Sequence, residues 1–296
     1  MRLATVQNGG REACVAIMAD GRMLDLSVIG ADSLQALIEG GEALLASARQ
    51  ALDGAAQGGH GAAILPADTP LLAPLPRPRK NVFCVGRNYA EHIAEGARAQ
   101  NIRIDVTEVP VFFTKPPTAV TGPGAPIPYW PGVSTAIDYE VELAVVIGKC
   151  GINIPRERAM EHVFGYTILN DITARDVQRR HGGQFFKGKG LDGSGPTGPW
   201  IVTAEALPDP MALGIRLWVN GEQRQNSTTA AMIFDIPTLI ASLSEGLTLE
   251  PGDIIATGTP SGVGYAMDPP RFLTDGDEVI CEIDGIGRLV NRVRAA

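Results

Sequence analysis

From Asn81 onward, short apolar runs alternate with turns rich in Gly, Pro and Asp. This alternation predicts β-strands, because strands are short and the chain must turn often to pair them. Asn220-Gly221 is a good hairpin turn of this kind. The segments predicted as strands are 82–85, 109–114, 140–147, 163–169, 200–203, 215–219, 253–256, 278–283 and 289–293. We therefore expect a mainly β fold with short helices, arranged as a roll, sandwich or barrel.

Two helices are predicted in this part of the chain, at 88–99 and at 236–243, where Asp235 is the N-cap. The first ~75 residues have a different pattern, with strands predicted at 2–7 and 13–19 and helices at 34–38, capped by Ser33, and 43–52. Three prolines within 71–80 predict an extended linker. We therefore predict a small α+β N-terminal domain at 1–75 and a catalytic domain at 76–296.

Composition excludes several classes of protein. The chain has 296 residues, 45% of them hydrophobic, and a net charge of -8, which argues against a nucleic-acid-binding protein. Its N-terminus lacks the apolar stretch of a signal peptide, and its longest aliphatic run, 143–147, is too short to span a membrane. The four cysteines form no CxxC pair and fit reduced thiols. We expect a cytoplasmic protein with no membrane partner.

The segment DYEVELAVVIGK (138–149) contains two acidic residues, Glu140 and Glu142, at the head of an apolar strand. Strand side chains alternate faces, so both carboxylates point the same way, whereas Val141 and Leu143 point to the other face. Two adjacent half-buried carboxylates repel each other unless a cation compensates them. The alternative is a strand edge with two solvated glutamates.

A third acidic residue, Asp171, ends the apolar strand of TILNDITARD (167–176). Three carboxylate ligands, completed by water and substrate oxygens, suit Mg²⁺ or Mn²⁺. A zinc site would have His or Cys nearby, and these segments have neither. The alternative for Asp171 is a local turn or a helix N-cap.

His92 and Glu95 lie three residues apart in NYAEHIAEG (88–96), and therefore on one face of the predicted helix. A carboxylate beside an imidazole increases its basicity and selects its tautomer, as a general base requires. The alternative is an ion pair on an exposed helix. His162 follows Glu161 in a polar turn and is predicted at the surface.

Two basic residues are candidates for binding an anionic substrate. Lys189, one of five lysines, lies in the Gly-rich segment 185–200, which we predict as a loop, and could bind a carboxylate or an oxyanion. Arg175 could clamp a substrate carboxylate bidentately. For each residue the alternative is a solvated cation.

The order of these motifs resembles that of the fumarylacetoacetate hydrolase family. The resemblance covers roughly residues 81–293. It rests on GRNYAEHIAE (86–95), FFTKPPTAVTGPG (112–124), DYEVELAVVIGK (138–149), GYTILNDITARDVQ (165–178), FKGKGLDGSGPTGPW (186–200) and LEPGDIIATGTPSGVG (249–264).

The resemblance implies a β-roll catalytic domain, usually a homodimer, with Mg²⁺ or Mn²⁺. It implies metal ligands at Glu140, Glu142 and Asp171 and a catalytic group of His92, Glu95 and Lys189, with His92 and Glu95 on a lid helix. It also implies a substrate pocket lined by Arg87, Arg175, Gln178 and Thr259.

The preferred hypothesis is hydrolysis of a carbon–carbon bond in an acylpyruvate, such as fumarylpyruvate or maleylpyruvate, in aromatic catabolism. His92 would activate water, and Lys189 would stabilise the enolate that leaves as pyruvate. The first alternative keeps the scaffold and acts on a related anionic 2-oxo acid, by oxaloacetate-type decarboxylation or hydroxymuconate-type isomerisation. A more distant alternative is a non-catalytic metal- or metabolite-binding protein.

Overall fold

The computed structural model describes residues 1–103 and 105–296, and within them strands outnumber helices. The strands are β1 (Arg2–Asn8), β2 (Arg11–Ile17), β3 (Met23–Asp25), β4 (Ile64–Leu65), β5 (Val82–Gly86), β6 (Val111–Lys115), β7 (Val120–Thr121), β8 (Pro126–Tyr129), β9 (Ile137–Asp138), β10 (Val141–Ile147), β11 (Val163–Asn170), β12 (Thr173–Ala174), β13 (Gly195–Thr203), β14 (Gly214–Val219), β15 (Glu222–Thr228), β16 (Ile254–Ala256), β17 (Glu278–Ile283) and β18 (Gly287–Ala295). The α-helices are α1 (Leu34–Glu39), α2 (Gly41–Ala56), α3 (Ala90–Gln100), α4 (Arg175–Arg180), α5 (Phe185–Lys189) and α6 (Ile236–Ser244). The mainly β fold class with short helices is confirmed.

The strands form two main sheets. The large sheet has the order β4-β3-β2-β1-β13-β11-β10-β16-β5-β6, and β7 pairs with β13 at its side. The small sheet has the order β15-β14-β17-β18-β8. A short separate ladder pairs β9 with β12 and places Asp138 opposite Thr173. This ladder matters for function because it connects the chain before Glu140 with the chain after Asp171.

The central strand β10 is buried along its whole length because both faces of the large sheet are covered. On one face, Val141 and Leu143 belong to the core that also contains the apolar residues of the small sheet. On the opposite face, Ala144 and Val146 pack in a second core. Glu142 alternates with Val141 and Leu143 and therefore lies on the second face, as the sequence predicted.

The N-terminal residues extend the large sheet. Strand β1 pairs antiparallel with β13, Leu3 lying opposite Ile201, and Leu3 shares a core with Val82 and Ala144. The first ~75 residues are thus in contact with the rest of the chain through a sheet and a core. The division into 1–75 and 76–296 stays a prediction, and the two parts are not separated in space.

Local signals in the sequence correctly located several ends of elements. Asp235 Oδ1 accepts a hydrogen bond from Thr238 N at 2.9 Å and caps α6, and Ser33 Oγ caps α1 in the same way. Asn220 has φ +50° and turns the chain between β14 and β15. These features depend on neighbouring residues alone, which is why the sequence reveals them.

Three local predictions were wrong. The segment 185–200 is not one Gly-rich loop, because helix α5 occupies its beginning and β13 its end. Helix α4 and strand β15 were not predicted. His162 is buried rather than at the surface, and its Nδ1 lies 2.8 Å from Lys149 O.

Across 1–103 and 105–296, no helix combines the length and the apolar character that crossing a membrane requires.

Candidate active site

The pairing of β10 with β11 brings the three predicted metal ligands together. Val141 lies opposite Asn170, so Asp171, one residue beyond β11, is placed beside Glu140. The backbone N–H of Asp171 donates to Glu140 O at 2.8 Å, and Asn170 Oδ1 accepts from Glu140 N at 3.1 Å. The strand register therefore determines this convergence, which residue spacing alone could only suggest.

Glu140, Glu142 and Asp171 each direct a carboxylate oxygen to a common point. The chosen oxygens lie within 4.8 Å of one another, and the three residues are only 3%, 1% and 0% exposed. Buried carboxylates in such proximity repel one another and lose hydration, so the fold must supply compensating positive charge.

Lys189 supplies part of that compensation. Its Nζ donates to Glu140 Oε2 and Asp171 Oδ2, both at 2.6 Å, and to Thr173 Oγ1 at 2.7 Å. Burial by itself lowers the pKa of this ammonium, but the contacts with Asp171 and Glu140 outweigh burial and raise the pKa. Lys189 is therefore a permanent cation whose three hydrogen bonds fix its position.

Arg175 is the second cation of the site. Its Nε donates to Asp138 Oδ2 at 2.9 Å, and its Nη2 donates to Glu140 Oε1. Its guanidinium also lies 4.3 Å from the ring centroid of Tyr265. The predicted bidentate clamp on a substrate carboxylate stays a prediction, and two nitrogens of the fork already donate to protein carboxylates.

Lys115 is a third cation that the sequence analysis did not select. It is fully buried at the end of β6, and its Nζ donates to Asp171 Oδ1 at 2.6 Å and to the backbone carbonyl of Lys189. It thus holds a predicted metal ligand and the predicted catalytic lysine at once. Its position after an apolar strand, in a chain with five lysines, was the available signal.

Glu142 differs from its neighbours. Its Oε2 accepts from the backbone N–H of Gly258 at 2.9 Å, but within 1–103 and 105–296 no Lys or Arg forms an ion pair with it. Burial, followed by the charges of Asp171 and Glu140, raises the pKa of Glu142. For Glu140 burial acts in the same direction, but Lys189 and Arg175 outweigh it and lower the pKa.

The charges of these buried side chains do not sum to zero. In the described part of the chain this carboxylate cluster contains three cations and four carboxylates, and the unpaired carboxylate is Glu142. Its members are Lys115, Arg175, Lys189, Asp138, Glu140, Glu142 and Asp171. A divalent cation at the point where the three carboxylates converge would neutralise Glu142 and leave the site positive, ready for an anionic substrate. The donor set is oxygen only, which fits Mg²⁺ or Mn²⁺.

The predicted pair on α3 is formed in the structure. His92 Nδ1 lies 2.8 Å from Glu95 Oε1, and Glu95 Oε2 accepts from Gly262 N at 2.8 Å. A carboxylate partner favours the tautomer with the proton on Nδ1, which leaves Nε2 free to accept one. Glu95 thus orients His92 and also attaches α3 to the loop before Tyr265.

A cavity of about 190 Å³ collects most of the predicted residues. Eight of the ten line it, and Glu95 and Asp171 lie behind His92 and Lys189. The eight are Arg87, His92, Glu140, Glu142, Arg175, Gln178, Lys189 and Thr259. The individual roles stay predictions, but the grouping of base, carboxylates and cations around one small cavity is a property of this structure.

The predicted substrate-binding residues differ in their freedom to bind. Thr259 is buried, and its Oγ1 accepts from Gln225 Nε2 at 2.8 Å. Arg87 is exposed, with a positive φ of 61°, directly after β5, and Gln178 is half-buried on α4. Two further lining residues, Arg179 and Tyr265, were not selected from the sequence because nothing local marks them.

Residues 81–294 match the family model described as fumarylacetoacetate (FAA) hydrolase, C-terminal. Among curated proteins, the chain is 52% identical over 224 residues to "Oxaloacetate tautomerase YisK" of Bacillus subtilis (strain 168), which covers 75% of this chain and 72% of that protein. It is 42% identical over 277 residues to "Oxaloacetate tautomerase fahd2, mitochondrial" of Xenopus laevis, which covers 92% and 83%.

Solved structures give the same picture of the fold. A fumarylacetoacetate hydrolase (EaFAH) from psychrophilic Exiguobacterium antarcticum has a TM-score of 0.84 and 41% identity, with all of both chains covered. A maleylpyruvate hydrolase from Sphingobium sp. SYK-6 has a TM-score of 0.78 and 32% identity, also with all of both chains covered. The similarity therefore includes the N-terminal residues as well as the residues matched by the family model.

Proposed function

This chain belongs to the fumarylacetoacetate hydrolase family, and from that premise we propose that it is a divalent-metal-dependent enzyme that interconverts the enol and keto forms of oxaloacetate. The carrying observation is that a correctly paired base, His92, opens onto the same small cavity as the carboxylates and Lys189. The names of the two curated relatives support this choice over acylpyruvate hydrolysis, which the sequence alone had favoured.

The proposed reaction consists of proton transfers at one carbon and one oxygen of the substrate. In the keto-to-enol direction His92 takes one proton from C3 and the 2-oxo oxygen takes one from solvent, to which His92 then returns its proton; the reverse direction undoes these transfers. No carbon–carbon bond breaks and no water is consumed. The site must therefore provide a base near C3 and positive charge near the 2-oxo oxygen.

Glu140, Glu142 and Asp171 are the residues that would hold Mg²⁺ or Mn²⁺. When bound, the cation supplies electrophilic stabilisation of the negative charge that develops on the substrate's 2-oxo oxygen. The protein contributes the surroundings of that charge. Lys115 and Lys189 hold the Asp171 carboxylate, and Arg175 holds Glu140, so the acceptor oxygens are oriented before any ligand arrives.

His92 would carry the proton at carbon. With Nδ1 facing Glu95, its Nε2 accepts the C3 proton and returns it when the reaction runs toward the keto form. The ammonium of Lys189, kept protonated by Asp171 and Glu140, stabilises an anionic oxygen nearby through its charge. Val85 and Ile93 contribute apolar side chains to the wall of the same cavity.

A direct assay tests the proposal. The purified chain is mixed with enol-oxaloacetate, and the loss of enol ultraviolet absorbance is followed with Mg²⁺, with Mn²⁺ and after treatment with a chelator. We expect rapid metal-dependent ketonisation. Proton NMR of the products separates the alternatives, because tautomerisation leaves oxaloacetate whereas decarboxylation gives pyruvate. Ketonisation no faster than the buffer rate with either metal would refute the proposal.

Acylpyruvate hydrolysis is the second candidate. It is supported by the similarity to the solved maleylpyruvate hydrolase and by a His–Glu pair that could equally activate a water molecule. Fumarylpyruvate and maleylpyruvate belong in the same panel, with pyruvate release as the readout. The panel also includes a hydroxymuconate-type diacid for the isomerase alternative.

The proposal includes a homodimer, expected from the family resemblance. Sedimentation velocity of the purified chain tests this part, and a single species of monomer mass at assay concentration would contradict it.

A further inference from the structure

We propose that Arg179 binds the distal carboxylate of the substrate and thereby selects four-carbon 2-oxo diacids over 2-oxo monoacids. This inference rests on the proposed function, because it assumes that the reacting 2-oxo acid end of the substrate lies at the carboxylate cluster. The observation that carries it is the order of the positive charges from the bottom of the cavity to its mouth.

The deep cations are already compensated. Lys189 and Arg175 are 4% and 7% exposed, and each forms ion pairs with two carboxylates of the protein. Both cations are therefore held at the carboxylates where the 2-oxo acid end of the substrate lies, and neither is left for a carboxylate at the other end. A substrate's second carboxylate must find its partner closer to the mouth.

Arg179 is the next cation along this path. It lies one helical turn after Arg175 on α4, so both side chains lie on one face of the helix, and its guanidinium is 5.9 Å from the Tyr265 ring centroid. The residue is exposed and lines the cavity. Within the described residues no Asp or Glu forms an ion pair with it. Its charge is therefore available to a ligand.

The apolar side chains among the cavity-lining residues favour such a partner. Phe113, Phe185 and Ile93 line the same cavity, and a carboxylate placed among apolar side chains loses hydration that an ion pair must replace. A monoacid with a methyl group at that position needs no ion pair and gains no binding energy from Arg179. The contrast predicts selectivity in binding rather than in the proton transfer itself.

Arg87 is a competing candidate because it is also exposed on the cavity wall. However, it lies in the connection between β5 and α3, outside any helix or strand. Arg179 belongs to α4, whose first residue, Arg175, is bonded to Asp138 and Glu140 at the carboxylate cluster. The distance from Arg179 to the cluster is thus set by the fold, as recognition of a fixed-length diacid requires.

The test compares Arg179→Gln with Arg180→Gln, which removes the same charge from the neighbouring exposed residue that does not line the cavity. Calorimetric titrations in the presence of Mn²⁺ use three probes: oxaloacetate, 2-oxobutanoate, which has a methyl group in place of the distal carboxylate, and oxalate, which occupies only the chelating end. Initial rates of ketonisation then separate KM from kcat for oxaloacetate.

We expect Arg179→Gln to weaken oxaloacetate binding and raise its KM roughly tenfold, the lower range for a charge-assisted hydrogen bond. Binding of oxalate and 2-oxobutanoate, and kcat, should stay unchanged, Arg180→Gln should match the wild type, and Arg179→Lys should restore part of the affinity. An equal loss for all three probes, or no loss, overturns the inference. A loss of diacid selectivity in Arg87→Gln, rather than in Arg179→Gln, also overturns the inference.

Failure of the proposed function would look different. If the wild type binds oxaloacetate more tightly than 2-oxobutanoate through Arg179 but does not ketonise it, the diacid site stands and the reaction assignment falls. If ketonisation is rapid but selectivity does not depend on Arg179, the reaction stands and the diacid site falls.

Discussion

The carboxylate cluster and helix α3 hold the two halves of the site in different ways. In the cluster, carboxylates and cations attach to one another through buried ion pairs between strands of the sheet and α4 and α5. Helix α3 is fixed at its beginning by the buried side chain of Asn88, which bonds to Thr257 O and Phe234 O, and in its middle by Glu95. Its last residues, Arg98 to Gln100, are exposed.

The two halves of the site differ because binding and proton transfer have different structural requirements. Binding a metal and an enolate requires oxygens that do not reorganise, and buried mutual ion pairs provide that. Transferring a proton to carbon requires a base that substrate can reach, and a helix attached through few contacts at the mouth provides that. Substitutions should therefore cost stability in the cluster and activity on α3.

The largest effect should follow Glu140→Gln. The change leaves Arg175 and Lys189 each with one fewer carboxylate in a buried site, so the free energy of unfolding should fall by about 3–5 kcal/mol. Urea denaturation in the presence of a chelator measures it. Glu161→Gln, which removes an exposed ion pair with Arg158, is the control and should leave stability nearly unchanged. A loss below about 1 kcal/mol at Glu140 would contradict the compensated-cluster description.

On α3 the effect should be kinetic. His92→Gln should reduce kcat for oxaloacetate ketonisation by about 10²–10⁴-fold, the usual contribution of a general base, with unfolding and metal binding unchanged. Arg98→Gln, at an exposed position of the same helix, should retain wild-type kcat. Retention of full activity by His92→Gln with metal bound would assign the proton transfer to another group.

Glu142→Gln should have the opposite sign from Glu140→Gln. The amide removes a buried charge that no Lys or Arg of the described chain pairs with, so the metal-free protein should gain about 1 kcal/mol or more. It should also lose most of its stabilisation by added Mn²⁺, which thermal unfolding with and without the ion measures.

The pH dependence of the metal-free protein follows from the same carboxyl group. Because the pKa of Glu142 is raised in the folded state, its contribution is fully present below the unfolded value of about 4.3 and is lost as pH rises through the folded pKa. As pH rises from about 4.3 to the folded pKa, the stability of the metal-free wild type should therefore decline more steeply than that of Glu142→Gln. Identical pH profiles would show that another group compensates this carboxylate.

The smallest effect should come from the attachment of α3. A Cβ at Gly96 would lie 2.5 Å from the Tyr265 hydroxyl, so Gly96→Ala must displace the helix or the ring. We expect kcat/KM to fall a few-fold while the alanine adds up to about 1 kcal/mol of helix propensity. Adding Tyr265→Phe removes the clashing oxygen and should restore kcat/KM relative to Tyr265→Phe alone. If the effects of the two substitutions on kcat/KM are simply additive, α3 does not contact the Tyr265 ring closely enough to matter.

Much of the site could be predicted from local pattern because its chemistry is local. His92 and Glu95 are three residues apart, and a helix brings such residues together wherever it lies. Glu140 and Glu142 share a face because strand side chains alternate. The helix of Lys189 could not be predicted in this way. Glycines and prolines between 185 and 200 indicate a loop, yet pairing with β11 and β7 makes the second half a strand.

The sequence by itself determined which groups are present: three carboxylates, a His–Glu pair and a rare lysine, in an order typical of one family. Only the tertiary structure decided how their charges are distributed. Lys115 reaches Asp171 across 56 residues, and Asp138 reaches Arg175 across 37, while Glu142 has no Lys or Arg partner among residues 1–103 and 105–296. These partners depend on strand register and on how the sheets pack. Both are set by burial of the whole core, which short segments of sequence do not encode.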